Sequence, residues 1–135
     1  MTERTVAAKL LIKPGDAVWV SDPGRASLLG LLPERVTVST GSRPGGAIRV
    51  AVVVADDEAT LRAVIASAID ALRDMPILWV AYPKGGRSDI NRDTLWPILA
   101  VEGLRPVTQV ALDETWSGLR FRLLRPDEPP FTGGS

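Results

Sequence analysis

The segment Val50–Tyr82, VAVVVADDEATLRAVIASAIDALRDMPILWVAY, decides the fold. It opens on the apolar run Val50 to Ala55 and closes on a second, Ile77 to Tyr82, stopped by Asp56 and Pro83 respectively. Unbroken apolar runs of this length suit strands buried on both faces, as in a parallel sheet. Between them Leu61, Val64, Ile65, Ala68, Ile69 and Leu72 recur at helical spacing, while Arg62, Asp70 and Arg73 fall on the other side. Asp56 or Asp57 caps this helix, because a short carboxylate accepts hydrogen bonds from first-turn amides that have no partner within the helix. Strand, helix and strand in this order form a right-handed crossover unit.

Outward toward the N-terminus, Ala17 to Ser21 (AVWVS) and Val36 to Thr40 (VTVST) read as two more strands of the same buried kind. Arg25 to Leu32 is a short helix after the first of them, and GSRPGG, Gly41 to Gly46, is a flexible loop. On the other side, Lys84 through Arg92 form a loop. Pro97 is tolerated only in a first helical turn, which puts the next helix start near Asp93, a suitable cap, and its end at Gly103. RPVTQVALDETW and SGLRFRLL then form an antiparallel hairpin joined through Asp113 to Ser117. Trp19 and Trp79, inside apolar strands, belong to the core, and helical Trp96 packs on the sheet. The expected product is one α/β domain over residues 1–125: a three-layer, Rossmann-like, mostly parallel sheet with helices on both faces, closing with a C-terminal antiparallel hairpin. Residues 126–135, PDEPPFTGGS, read as a disordered tail.

The 135 residues leave room for one domain, and a 45% hydrophobic content suffices for its core. Lys+Arg and Asp+Glu both number 16, so nothing draws the whole molecule toward nucleic acid or an anionic membrane, and any anion site must be local. The chain has no Cys and no His, which removes thiolate nucleophiles, imidazole bases, disulfides and the usual zinc and haem ligands. With no secretory leader pattern at its start and no apolar run near a membrane span, it reads as a soluble cytoplasmic protein.

In a parallel sheet the loops after the strands share one edge, where open α/β sheets bind ligands. That edge collects Asp22, Gly24, Thr40, Asp56, the loop with Lys84, Gly86, Arg87, Asn91 and Arg92, and, if the hairpin's first strand runs parallel to the rest, Trp116. Lys84-Gly85-Gly86-Arg87 suits an anion: glycines admit close backbone approach, Lys brings charge and Arg a bidentate fork. The competing account is a glycine turn whose Lys84 and Arg87 pair with Asp113, Glu114 or Asp89. The order of residues a P-loop requires is missing. Asp89, Asn91, Arg92 and Asp93 suit either a divalent cation or helix capping and turn chemistry, the latter being what Asp and Asn supply in such loops. Asp22, Asp56 and Asp57 form a candidate carboxylate cluster that capping partly explains. Trp116 either folds back over the core or faces a ligand or partner.

The order of elements resembles the class I methyltransferase-like Rossmann domain, whose sheet also closes with a C-terminal hairpin. IKPGD (Ile12 to Asp16), LWVAYPKGGR (Leu78 to Arg87) and WSGLR (Trp116 to Arg120) further resemble a family of short bacterial proteins of unknown function. The methyltransferase likeness implies a glycine-rich turn after the first strand and a carboxylate ending the second, which hold S-adenosylmethionine. Here SDPGRAS has only Gly24, with Pro23 lacking an amide donor, and the second strand ends in Thr40 and Gly41. The resulting expectation is a degenerate, non-catalytic relative that needs no metal or cofactor and binds a small anionic ligand or a protein partner at the carboxyl edge. Two alternatives stand beside it. One is an enzyme binding S-adenosylmethionine or a nucleotide around Asp22, Gly24, Thr40 and Asp56. The other is a homodimeric interaction module whose interface shields Trp116.

Overall fold

A computed structural model describes residues 5–86 and 88–129. The chain runs through α1 (Val6–Lys9), β1 (Ala17–Val20), a 3-10 helix (Pro23–Leu29), β2 (Thr37–Thr40), β3 (Val50–Val54), α2 (Glu58–Leu72), β4 (Ile77–Pro83), α3 (Arg92–Ala100), β5 (Leu104–Ala111) and β6 (Trp116–Leu123). One sheet has the order β2-β1-β3-β4-β6-β5. β1 through β4 are mutually parallel, and β6 inserts antiparallel between β4 and β5.

The alternation of side chains along the central strands sends them into two cores. One holds Trp19, Val53, Leu78, Val80, Tyr82, Leu119 and Phe121 under α2 and α3. α2 buries Leu61, Ile65, Ala68 and Leu72, one residue per turn, and each fully buried leucine contributes about 2 kcal/mol. The second core, with Val18, Val20, Val52, Trp79 and Trp116, is covered by Ala7 and Leu10 from the region of α1 and by Leu29 from the 3-10 helix. Helical segments thus lie on both faces, but the second layer is thin. Trp19 and Trp79 are buried, as expected, and Trp96 packs against the α2–α3 core.

Three local readings are corrected. Val36–Thr40 was expected to be buried on both faces; instead all four residues of β2 are exposed, because it is the outermost strand. Valine and threonine suit edge and centre alike, so composition could not separate the two. α3 is capped by Asn91, not Asp93: Asn91 Oδ1 accepts the amides of Asp93 (2.8 Å) and Thr94 (3.1 Å), and Thr94 Oγ1 accepts the Asn91 amide (2.9 Å). This reciprocal box satisfies three amide donors at the start of the helix. Pro97 consequently lies in the second turn, where the Asp93 carbonyl loses its usual donor. α2 is capped by Asp57, whose Oδ1 accepts the Thr60 amide at 2.8 Å; that hydrogen bond holds the carboxyl below its ordinary pKa.

Of the expected tail, residues 130–135 lie outside the described residues, while Glu128 folds back on the hairpin. It accepts from Arg105 Nη1 at 2.8 Å, from Arg122 Nη1 and Nη2 at 2.9 and 2.8 Å, and from the Arg125 amide at 3.0 Å. The Arg122 hydrogen bonds, then the Arg125 amide, hold the Glu128 carboxyl far below the usual carboxylate range. A depressed folded-state pKa contributes stability above the unfolded pKa and loses it as pH falls through the folded one. The melting-temperature difference between wild type and Glu128→Gln is therefore expected to shrink from about pH 6 toward pH 3. A difference that stays constant over that range would mean the carboxylate's charge is not what ties the tail down.

Candidate functional site

β4 and β6 are antiparallel, as are β6 and β5, so β5 runs parallel to β4 and the hairpin turn rises at the carboxyl edge. There the Lys84 amide donates to the Thr115 carbonyl at 2.8 Å. Asp113 Oδ1 accepts the Thr115 and Trp116 amides, both at 2.7 Å, which fixes the turn.

Around β1 and β3 the edge is filled by the protein itself. Ser21 Oγ accepts the Val54 amide at 2.8 Å, and Asp22 Oδ1 accepts the Gly24 amide at 2.9 Å. Pro23 has no amide, so the loop after β1 turns its donors onto its own carboxylate. Arg25 then reaches across the edge. Its guanidinium lies 5.1 Å from the centroid of the Trp116 ring and 3.7 Å from the Asp56 carboxylate. Both charged groups are about half exposed, so the ion pair is weak and the cation–π contact does at least as much to hold Arg25. Trp116 is 5% exposed and packs in the second core. It folds back over the core, and its burial within one chain means that its shielding cannot report on a dimer. Thr40 ends the outermost strand, in register with Val20 at the end of β1, and so lies one strand out from the loop that carries Asp22 and Gly24.

The crevice departs from the pattern that the methyltransferase likeness implies for S-adenosylmethionine. The first loop has one glycine, whose amide is already taken, the second strand ends without a carboxylate, and Arg25 lies across the opening.

The 84–93 loop divides in two. Asp89, Asn91 and Asp57 act on helix ends: Asp89 Oδ1 accepts the Glu58 amide of α2 at 2.8 Å, and Asn91 caps α3. Ser88 Oγ donates to the Asp56 carbonyl, which ties the loop to the end of β3. Arg92 lies 3.9 Å from Asp93, its neighbour in the chain. Among the described residues no group of His, Cys, Asp or Glu is arranged to hold a metal ion. The capping account thus covers Asp89 and Asn91.

Lys84, Gly85 and Gly86 behave differently. Both glycines have left-handed backbone, φ +73° and +75°, a conformation that costs other residues about 1 kcal/mol or more. Among the described residues Lys84 makes no ion pair, so the expected pairing with Asp113, Glu114 or Asp89 does not form. Instead it lines an open groove of about 580 Å³ with Lys9, Val6, Leu112, Asp113 and Glu114. Lys9, whose Nζ donates to the Ala111 carbonyl at 3.1 Å, was missed from sequence: nothing local to VAAK says that it meets the end of β5. Arg87 lies outside the described residues. Tyr82 was read only as strand; its buried hydroxyl accepts from Gln109 Nε2 at 2.7 Å, and burial pushes its pKa up.

A six-stranded, mostly parallel sheet with an antiparallel strand inserted beside its last parallel strand defines a Rossmann-like α/β protein of methyltransferase-like fold. The chain is similar to a crystal structure described as a protein in the NADB-Rossmann superfamily from Streptococcus agalactiae, at 12% identity and a TM-score of 0.59, over 98% of this chain and 72% of the other. It is also similar to a LepI variant in complex with SAH and a substrate analogue, at 11% identity and a TM-score of 0.53, over 88% of this chain but only 39% of that one. At these identities the likeness is one of fold. No family model and no curated protein matches the chain. Among the described residues no helix is long and apolar enough to cross a membrane.

Proposed function

We propose that this chain is a non-catalytic methyltransferase-like domain that binds a small anionic ligand at the carboxyl edge of its sheet, in the groove shared by Lys9 and Lys84. The observation that carries this reading is the convergence of two half-buried lysines, from α1 and from the end of β4, on one groove beside the Gly85–Gly86 turn. Of the two carboxylates at its rim, Asp113 is engaged by the Thr115 and Trp116 amides of its own turn. The absence of His and Cys, and the engagement of Asp57 and Asp89 in capping, support a binding role over a catalytic one. The Arg25 bridge from Trp116 to Asp56 supports a crevice that no longer takes the methionine-derived cofactor. Kinship with the short bacterial proteins that share IKPGD and WSGLR, and a cytoplasmic location, belong to the same proposal.

Calorimetric titration with pyrophosphate and with S-adenosylhomocysteine tests it. Pyrophosphate is expected to bind, more weakly as salt rises, with affinity falling about tenfold in Lys84→Ala and again in Lys9→Ala, roughly 1.4 kcal/mol each. Unchanged affinity in both variants, or binding of S-adenosylhomocysteine in place of pyrophosphate, would sink the reading.

A further inference from the structure

The two lateral edges of the sheet are treated very differently by the sequence. The β5 edge carries Pro106 and an irregular register between Pro106 and Thr108, devices that blunt pairing with another chain. The β2 edge has neither, and Val36 to Thr40 carries no charge.

Its free hydrogen-bonding groups follow from the ladder. The Thr37 amide donates to the Asp16 carbonyl of the β1 side at 3.0 Å, and β2 pairs β1 in parallel with Val38 opposite Val18. In a parallel pair alternate residues face the partner, so Thr37 and Ser39 turn inward while Val36, Val38 and Thr40 present N–H and C=O outward. Pairing is bounded at both ends by left-handed backbone, Arg35 at φ +59° and Gly41 at φ +136°. In the segment that leads into this strand Leu31 is 85% and Leu32 38% exposed, and on the strand Val38 is 38% exposed. Val38 shares a sheet face with Val18, and Val36 packs on the same core, so the patch continues the second core outward.

We propose that β2 pairs antiparallel with β2 of a second copy of this chain about a two-fold axis through Val38, extending the sheet across the dimer. This register sets Val38 against Val38 and Val36 against Thr40 of the partner. It is self-complementary, because every outward amide meets an outward carbonyl, about six hydrogen bonds in all. It also sets Val38 of both copies on one face, with the Leu31–Leu32 segments that lead into β2 brought toward the interface. Displacing the axis by one residue to Ser39 would set Arg35 opposite Arg43, so charge favours the Val38 register. Five paired residues and three apolar side chains make a small interface, so the dimer is expected to dissociate in the micromolar range or above. This interface lies away from the Lys9 and Lys84 groove, and its failure would leave that reading untouched.

Sedimentation equilibrium of the full chain from about 1 to 500 μM is the test, with hydrogen exchange at both ends of that range. Dimer is expected to accumulate with concentration, and the Val36, Val38 and Thr40 amides to gain protection as it does, while Thr37 and Ser39 are protected throughout. Val38→Lys and Leu31→Lys, both at exposed positions and checked for an unchanged melt, are each expected to weaken the dimer at least tenfold. A chain that stays monomeric at every concentration, a dimer indifferent to both lysines, or protection that grows elsewhere and not at Val38 and Thr40 overturns the proposal.

Discussion

Trp79→Ala is expected to leave the protein barely folded, at a cost of about 4 kcal/mol against the roughly 5–15 kcal/mol typical of a domain. Trp79 lies in the second strand of the central crossover unit, 1% exposed, and its ring packs in the second core, beneath α1 and the 3-10 helix. The indole Nε1 donates to the Leu10 carbonyl at 3.0 Å, a buried bond spanning 69 positions of the chain. Removing the side chain therefore opens a large cavity in the thinner layer and frees the segment that ends α1. Trp79→Phe separates the two contributions: it keeps most of the apolar volume but strands the Leu10 carbonyl, for about 1–3 kcal/mol. Urea denaturation of both variants measures the split. If Trp79→Ala lost no more stability than Trp79→Phe, the packing role assigned to the indole would be wrong.

The fold was legible because its signals are redundant. Val50–Ala55 and Ile77–Tyr82 can only be central strands once an amphipathic segment of the length of α2 separates them, and the glycine stop at Gly103 and the turn at Asp113 delimit the last three elements. Where a signal was single, it misled. Val36–Thr40 looked like a core strand because β-branched composition is common to centre and edge, and only the strand order shows which it is. Pro97 was read as marking a first turn, whereas Asn91 and Thr94 anchor the start of α3 firmly enough to carry a proline one turn further in.

The site was legible as an edge but not as a set of partners. Asp22, Gly24, Asp56, Lys84 and Asn91 do lie there, since topology alone puts post-strand loops together. What each does depends on neighbours distant in sequence: Asp89 caps a helix 31 positions away, and Lys9 joins Lys84 through α1. Arg25 is legible as a helix start at this edge, but neither Trp116 nor Asp56 can be known as its partner before the sheet is built.

The same distinction between a motif and its work governs IKPGD, and it yields the second large effect. Asp16→Ala is expected to cost about 2–3 kcal/mol, although the residue sits in a surface turn. Its carboxylate is 11% exposed, lies 2.6 Å from Arg49 Nη1 and accepts the Lys13 amide at 2.8 Å. Arg49 also donates to the Leu11 carbonyl at 3.2 Å, so the guanidinium fastens the end of the α1 region to the turn before β1. Removing Asp16 takes from this arginine its carboxylate partner in a half-buried place. Arg49 is 37% exposed and can turn partly to water, which keeps the cost below that of a fully buried broken pair. Arg49→Ala after Asp16→Ala should then cost little more, a coupling of about 1–2 kcal/mol readable in a double-mutant cycle of urea midpoints. Additive losses would show that the two residues act separately. The turn also holds β2, through the Thr37 amide on the Asp16 carbonyl and the Gly15 amide on the Glu34 carbonyl. Asp16→Ala should therefore speed hydrogen exchange at Thr37 before it does so at the centre of the sheet. The motif that carries a family resemblance is, in physical terms, the clasp that keeps the outermost strand in register.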